Sequence, residues 1–435
     1  MKRREFLKTT AALSAATIVP RGVLGGSGYT APSDKMNLAG VGVGGVGKSY
    51  LENLESENII ALCDVDWEYA KPVFEKYPQA RRFKDFREML EAMPEIDGVV
   101  IGTPDHTHAV IAIEALRRKK HVYCAKPLTR TIAEARALTA AAKSAGVATQ
   151  MSIQMNAIEE HRLLAEWIAA GVIGDVREVH IWSNRPIWPQ GIERPQEIPS
   201  VPPMLDWGLW IGPAPFRPYH PAYHPFNFRG WYDFGTGALG DMGCHQFDPV
   251  VKALKLDQPT SIYACSTELF KETYPKASMI FYDFPARAGM PPVKVVWYDG
   301  GLKPERPLEL EDEREFGEWN GGILWIGDKG KILSHATGQS PRLLPESRMK
   351  SFKKPPKTLP RSIGHYEEWI AACKGGAPAG ADFAYGGPLT ELVLLGNIAL
   401  RIQKRLYWDG QAKRFTNSEE ANKLIEEPYH NGWSL

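Results

Sequence analysis

A glycine-rich turn constrains this chain more than any other feature. Gly42-Val43-Gly44-Gly45-Val46-Gly47 ends a short apolar stretch, Lys35 to Val43, and runs into a helix-forming segment, Lys48 to Leu54. The spacing G-x-G-x-x-G suits a strand that turns sharply into a helix. The first glycine permits the turn, the second lets the backbone approach a pyrophosphate, and the third lets helix and strand pack closely. Alone, such a pattern is weak. Here a second apolar strand, Asn58 to Cys63, follows and ends in Asp64. That acid lies about 20 residues beyond the glycines, where a carboxylate accepts hydrogen bonds from adenosine ribose hydroxyls. Gly42, Gly44, Gly45, Val46, Gly47 and Asp64 are therefore read as dinucleotide-binding. Asp64 and Asp66 would repel a 2′-phosphate and no arginine follows directly, which favours NAD over NADP.

The alternation of strand and helix continues. Gly98 to Gly102 and His121 to Cys124 read as strands, and His106 to Arg118 reads as a helix between them. Thr131-Ile132-Ala133-Glu134 is a capping box that opens a helix ending near Gly146. Alternation of this kind implies a parallel, doubly wound sheet with its ligand at the carboxyl ends of the strands. We expect an export signal and linker over 1–32, a dinucleotide-binding domain over 33–155, and a substrate-binding α/β domain over 156–435. A net charge of +1 argues against nucleic acid as a partner. Beyond the first residues no apolar run approaches the ~20 residues of a membrane span. The five cysteines are scattered and indicate neither a disulfide framework nor a zinc site.

The first residues read as an address. Arg3-Arg4 precedes Phe6-Leu7-Lys8, a short apolar stretch from Thr9 to Val19, then Pro20 and glycine-rich sequence. These are the parts of an export signal, and the paired arginines resemble the bacterial twin-arginine type, with cleavage expected between Gly25 and Pro32. The expected location is the periplasm. That route carries folded proteins, so a cofactor can be loaded before export and then recycled.

Four segments, in order, resemble the Gfo/Idh/MocA oxidoreductase family over roughly residues 36–405. They are the glycine loop with Asp64, Thr103-Pro104-Asp105-His106-Thr107-His108, Cys124-Ala125-Lys126-Pro127, and Gly240 to Asp248 with its Asp241-x-x-x-His245 spacing. Two positions depart from the family pattern: Asp105 stands for the usual Asn, and Ala125 for the usual Glu. The resemblance implies a Rossmann domain followed by an α/β domain with a large, open, mainly antiparallel sheet. It also places Thr103, Pro104, His108 and Lys126 at the cofactor, and implies Lys126, Asp241 and His245 as the catalytic set, with His245 the general base.

Chemistry agrees with that set. A hydride can leave a carbinol carbon only if the hydroxyl proton leaves too, so an acid/base must stand within hydrogen-bond reach. Lys126 follows a buried strand at the carboxyl edge of the sheet. Asp241 and His245, four apart, share one face of a helix, where the carboxylate is expected to orient the imidazole and stabilise its charged form. The expected reaction is oxidation of a ring hydroxyl of a sugar or glycoside, such as that at C3, or reduction of the keto-sugar. The alternatives are a redox-neutral glycosidase or lyase using transient oxidation, and a non-catalytic sugar-binding protein.

Between Trp182 and Phe234 the chain is rich in Trp, Tyr and Phe interspersed with Pro, His and Arg, which reads as a long functional loop system. Flat rings accept the apolar faces of sugars. Asn184, Arg185, Trp188, Tyr223, His224 and Arg229 are the expected substrate contacts, with Asp241 and His245. Packing of these aromatics into an oligomer interface or a minor core is the competing reading. His220 and His224 are four apart, but prolines make the segment non-helical and no metal site is expected. Leu389 to Leu406 reads as an amphipathic helix, and Arg348 to Lys357 as a solvated loop. An open sheet with one bare face implies a homo-oligomer.

Overall fold

The computed structural model describes residues 34–435. The expected export signal lies outside the described residues. The first sheet comprises β1 (Asn37–Val41), β2 (Asn58–Cys63), β3 (Arg81–Phe83), β4 (Gly98–Ile101), β5 (His121–Cys124) and β6 (Thr149–Met151). Its order is β3-β2-β1-β4-β5-β6 and every pairing is parallel. All four residues of β4 are buried, as a strand covered by helices on both sides requires. The strand order reverses between β1 and β4, and that switch point opens the crevice where such sheets bind ligands. Thr131 and Glu134 form the expected capping box, and Gly146 ends that helix in a left-handed conformation.

The second sheet comprises β7 (Val176–Ser183), β8 (Ser261–Ser266), β9 (Ser278–Phe284), β10 (Val293–Tyr298), β11 (Gly321–Gly327), β12 (Gly330–His335), β13 (Arg342–Leu344), β14 (Leu406–Asp409) and β15 (Arg414–Phe415). Its order is β13-β12-β11-β7-β10-β9-β8-β14-β15, antiparallel except for the β7–β10 pair. Burial alternates along β9, as a strand with one face on a core should. Helices Gly237–Leu254 and Phe383–Ile402 share the core on one face, where Phe247 and Val393 join Ile262, Tyr282 and Trp297. The other face carries Trp182, Val296, Tyr298, Leu324 and Leu333, with Leu310 and Phe316 of the β10–β11 connection packed among them.

Two expectations are corrected. The helix expected over Leu389–Leu406 spans Phe383–Ile402. Asp382 caps its start by accepting from Tyr385 N–H, and burial holds the helix together through Pro388. Gln403, at φ 56°, ends it, and Leu406 begins β14. The basic stretch read as a loop begins instead inside a short helix, Glu346–Ser351. Phe383–Ile402 is also, among the described residues, the one helix long and apolar enough to cross a bilayer, and 83% of its apolar window is buried inside the protein.

Candidate active site

A cavity of about 530 Å³ runs from the glycine loop to helix Gly237–Leu254. Its first end is made by backbone. Gly42 adopts φ +74°, and a Cβ there would lie 2.6 Å from Thr103 N; a Cβ on Gly47 would lie 2.3 Å from Gly42 O. Both positions must therefore be glycine for loop, strand and helix to close together. Gly45, by contrast, faces open space beyond the Tyr69 hydroxyl. Asp64 lines the cavity and accepts from Gly44 N–H and Asp66 N–H, both at 2.9 Å. Burial pushes its carboxyl up, against those two donors. Each carboxylate oxygen keeps a second lone pair for a hydroxyl.

Thr103 and Pro104 also line the cavity, and Thr103 Oγ1 is buried without a partner. A tight glycine cradle, a buried carboxylate and an orphaned hydroxyl fit a dinucleotide, with Asp64 toward its ribose. His108 differs from its expected role: it is fully buried, does not line the cavity, and spans Thr103 O (2.8 Å) and Pro127 O (2.9 Å). It holds two cavity loops together rather than touching a ligand.

The other end is made by side chains from distant segments. Lys126 Nζ donates to Asp241 Oδ1 at 2.6 Å, and Arg185 Nε donates to Asp241 Oδ2 at 2.9 Å. Arg229 Nε reaches Asp241 Oδ1 at 3.3 Å. Burial alone would push the Asp241 carboxyl up, but the charges of Lys126, Arg229 and Arg185 prevail and hold it well below the usual carboxylate range. The carboxylate missing at Ala125 is thus supplied to Lys126 from Asp241, 115 residues on.

His245 lies one turn beyond Asp241, half-buried, behind the wall of this cavity, with Nδ1 buried and unpartnered. Burial and then the Lys126 charge push its imidazole down to about 3. The expectation that Asp241 stabilises a charged imidazole is therefore corrected: Asp241 is committed to three cations, and His245 is held neutral. Asp248, on the next turn, is tied to Asn156, Tyr385 and His161 inside the protein.

The expected substrate contacts divide. Arg185, Trp188, His224 and Arg229 line the cavity; Asn184 and Tyr223 do not. Asn184 instead accepts from Arg185 Nη1 at 2.6 Å and aims it. Tyr223 is buried in an aromatic cluster with Trp207, Trp210, Trp231 and Phe234, a minor core under the loops. Trp188, Phe226 and Phe228 instead surround the Arg229 guanidinium, 4.5–5.8 Å from their ring centres. His224 Nε2 meets Asp66 Oδ2 at 2.8 Å, which clamps the loop system to the first sheet. Sequence reasoning missed Tyr50, Asp105, Ile187, Phe226 and Trp433 on the cavity wall. Asp105 had a signal, since it stands in the quoted Thr-Pro segment; there it accepts from Thr236 Oγ1 at 2.5 Å.

The doubly wound parallel sheet, the glycine cradle and the buried carboxylate beside it define a protein of the dinucleotide-binding class. Residues 36–153 match the Gfo/Idh/MocA oxidoreductase family's NAD-binding Rossmann fold, and residues 179–269 and 327–435 match its C-terminal alpha/beta domain. The chain belongs to that family. It is 27% identical over 157 residues to the myo-inositol 2-dehydrogenase of Thermotoga maritima, covering 35% of this chain and 47% of that protein. It is 30% identical over 147 residues to the inositol 2-dehydrogenase of Rubrobacter xylanophilus, covering 33% and 42%. The chain thus spans less than half the length of these curated relatives. The fold is similar to that of the WlbA dehydrogenase from Bordetella pertussis, solved with NADH and UDP-GlcNAcA: TM-score 0.60, 17% identity, 86% of this chain and 99% of that one.

Proposed function

We propose that the protein is an NAD-dependent oxidoreductase acting on a hydroxyl of a sugar or polyol, or on the matching ketone. The observation that carries this reading is one continuous cavity with a glycine cradle and Asp64 at one end and the Lys126–Asp241 pair at the other. Bound in it, NAD supplies the hydride acceptor or donor. Lys126, aimed by Asp241, donates a hydrogen bond to the reacting oxygen and stabilises the negative charge that grows there. His245, one turn beyond Asp241, is held neutral by burial and the Lys126 charge, the form able to accept a proton. Arg185 and Arg229 hold further hydroxyls, while Trp188 and Phe226 present ring surface to the apolar face of a sugar.

The proposed site of oxidation is a ring hydroxyl, C3 among the choices. The arginine pair and apolar stretch near the start of the chain support export to the periplasm with the nucleotide already loaded. There a retained cofactor is recycled by alternate oxidation and reduction of sugars. Mass spectrometry of nucleotide released from purified protein, followed by a panel of sugars and keto-sugars watched at the nicotinamide absorbance, tests the whole reading. His245→Ala is expected to lower kcat by about 10²–10⁴-fold while leaving nucleotide affinity unchanged. Undiminished turnover in that variant would remove His245 from the reaction.

A further inference from the structure

Segment 429–435 runs from the loop after helix Trp207–Ile211 to Phe86 of the first domain, and its Trp433 lines the cavity. Asn431 and Gly432 adopt φ of 56° and 76°, and Trp433 N–H donates to His430 O at 3.0 Å. A tight turn with two left-handed central residues favours the dipeptide Asn-Gly found here. Before the turn the segment is tied to the loop that follows helix Trp207–Ile211. Asn431 Nδ2 donates to Gly212 O at 2.9 Å and Ala214 O at 2.8 Å, and His430 N–H donates to Pro213 O at 3.0 Å.

After the turn, Trp433 lies against the first sheet. It stacks on Phe86 with ring centres 6.0 Å apart, and the Arg87 guanidinium sits 4.4 Å from its ring centre. Arg87 is itself held by both oxygens of Asp85. Trp433 is half-buried and lines the cavity, as do Lys84, Phe86 and Ile111. That wall adjoins Asp64, whose N–H donates to Phe83 O at 3.1 Å. The stacked pair Trp433 and Phe86, with Ile111, thus adds apolar surface to the cavity lining that also holds Asp64.

We propose that Trp433 packs against the adenine base of bound NAD, and that segment 429–435 is a latch whose opening governs how fast the dinucleotide leaves. This rests on the NAD reading of the cavity. Opening requires the Asn431 bonds on one side, or the Trp433 stack on the other, to break.

The test measures binding to the full chain by calorimetry and release by stopped-flow nicotinamide fluorescence, with NADH and with reduced nicotinamide mononucleotide, which lacks adenine. Trp433→Ala is expected to weaken NADH about tenfold, mainly through faster release, and to leave the mononucleotide unaffected, because base–aromatic stacking is lost only where a base is present. Trp433→Phe should restore most of the affinity. Asn431→Ala keeps the indole but unties the segment, and should also speed NADH release; with Trp433→Phe it decides the matter if Trp433→Ala does not fold. Wild-type NADH release in the alanine variants, or an equal loss for both nucleotides, overturns the latch. A wild-type protein that carries no nucleotide when purified and binds neither one overturns the NAD reading itself.

Discussion

The two ends of the cavity are built differently. At the nucleotide end, the glycine cradle and Asp64 come from one short stretch of chain, positions 42–64, and the cradle is backbone closing on backbone. At the far end, Asp241 collects Lys126, Arg185 and Arg229 from three separate segments, and every contact is between side chains. The first arrangement depends on the absence of Cβ atoms at Gly42 and Gly47. The second depends on charge balance among groups desolvated together, where each charge is tolerable only because the others are present. One end therefore responds to steric change and the other to a change of charge.

The largest expected effect sharpens that contrast. Lys126→Met should lower kcat/KM by about 10³-fold through the lost transition-state charge, with NAD affinity within about twofold of wild type. Steady-state kinetics beside direct NAD titration would check it, and a parallel collapse of affinity would erase the distinction between the ends. Gly47→Val should do the reverse. Its side chain would drive into Gly42 O, weakening NAD binding at least about tenfold and lowering stability by about 1–3 kcal/mol through forced backbone displacement. Calorimetric titration and urea unfolding measure the two losses.

A smaller effect is expected from acid. Burial pushes His245, His106 and His365 down to about 3 each. Unfolded imidazole titrates near ~6.5, so below that pH the unfolded chain takes up protons that the folded one refuses. Stability should hold above pH ~6.5 and fall as pH drops toward 3, by on the order of 1 kcal/mol per pH unit per histidine. His245→Gln should flatten the slope of denaturation midpoint against pH; an unchanged slope would show that this imidazole charges in the folded state. The smallest effect is a control belonging to neither end. Thr131→Ala removes one half of the capping box and should lower stability by about 1 kcal/mol without moving NAD affinity or kcat.

Much of the nucleotide end was legible along the chain because its physics is local. The glycine spacing, the strand ending at Cys63 and the acid after it lie within one turn-and-helix unit, and the structure closes them as read. His108 was legible as part of a recognisable segment but not as a support, because its bonds to Thr103 O and Pro127 O appear only when two loops meet. Tyr223 and Trp188 look alike in sequence, two aromatics in one loop system, yet one is core and the other is cavity wall. Composition cannot separate them, since the choice depends on which neighbours arrive at the same place.

What the sequence by itself determined is the doubly wound sheet, the glycine turn followed by Asp64, and the helical spacing of Asp241 and His245, all legible from patterns local to the chain. Only the tertiary structure decided that Asp241 answers Lys126 in place of a neighbouring glutamate, that His245 is neutral, and that Trp433 lines the cavity. Those outcomes depend on which charges and rings are desolvated side by side, and desolvation is a property of the packed molecule rather than of any segment of it.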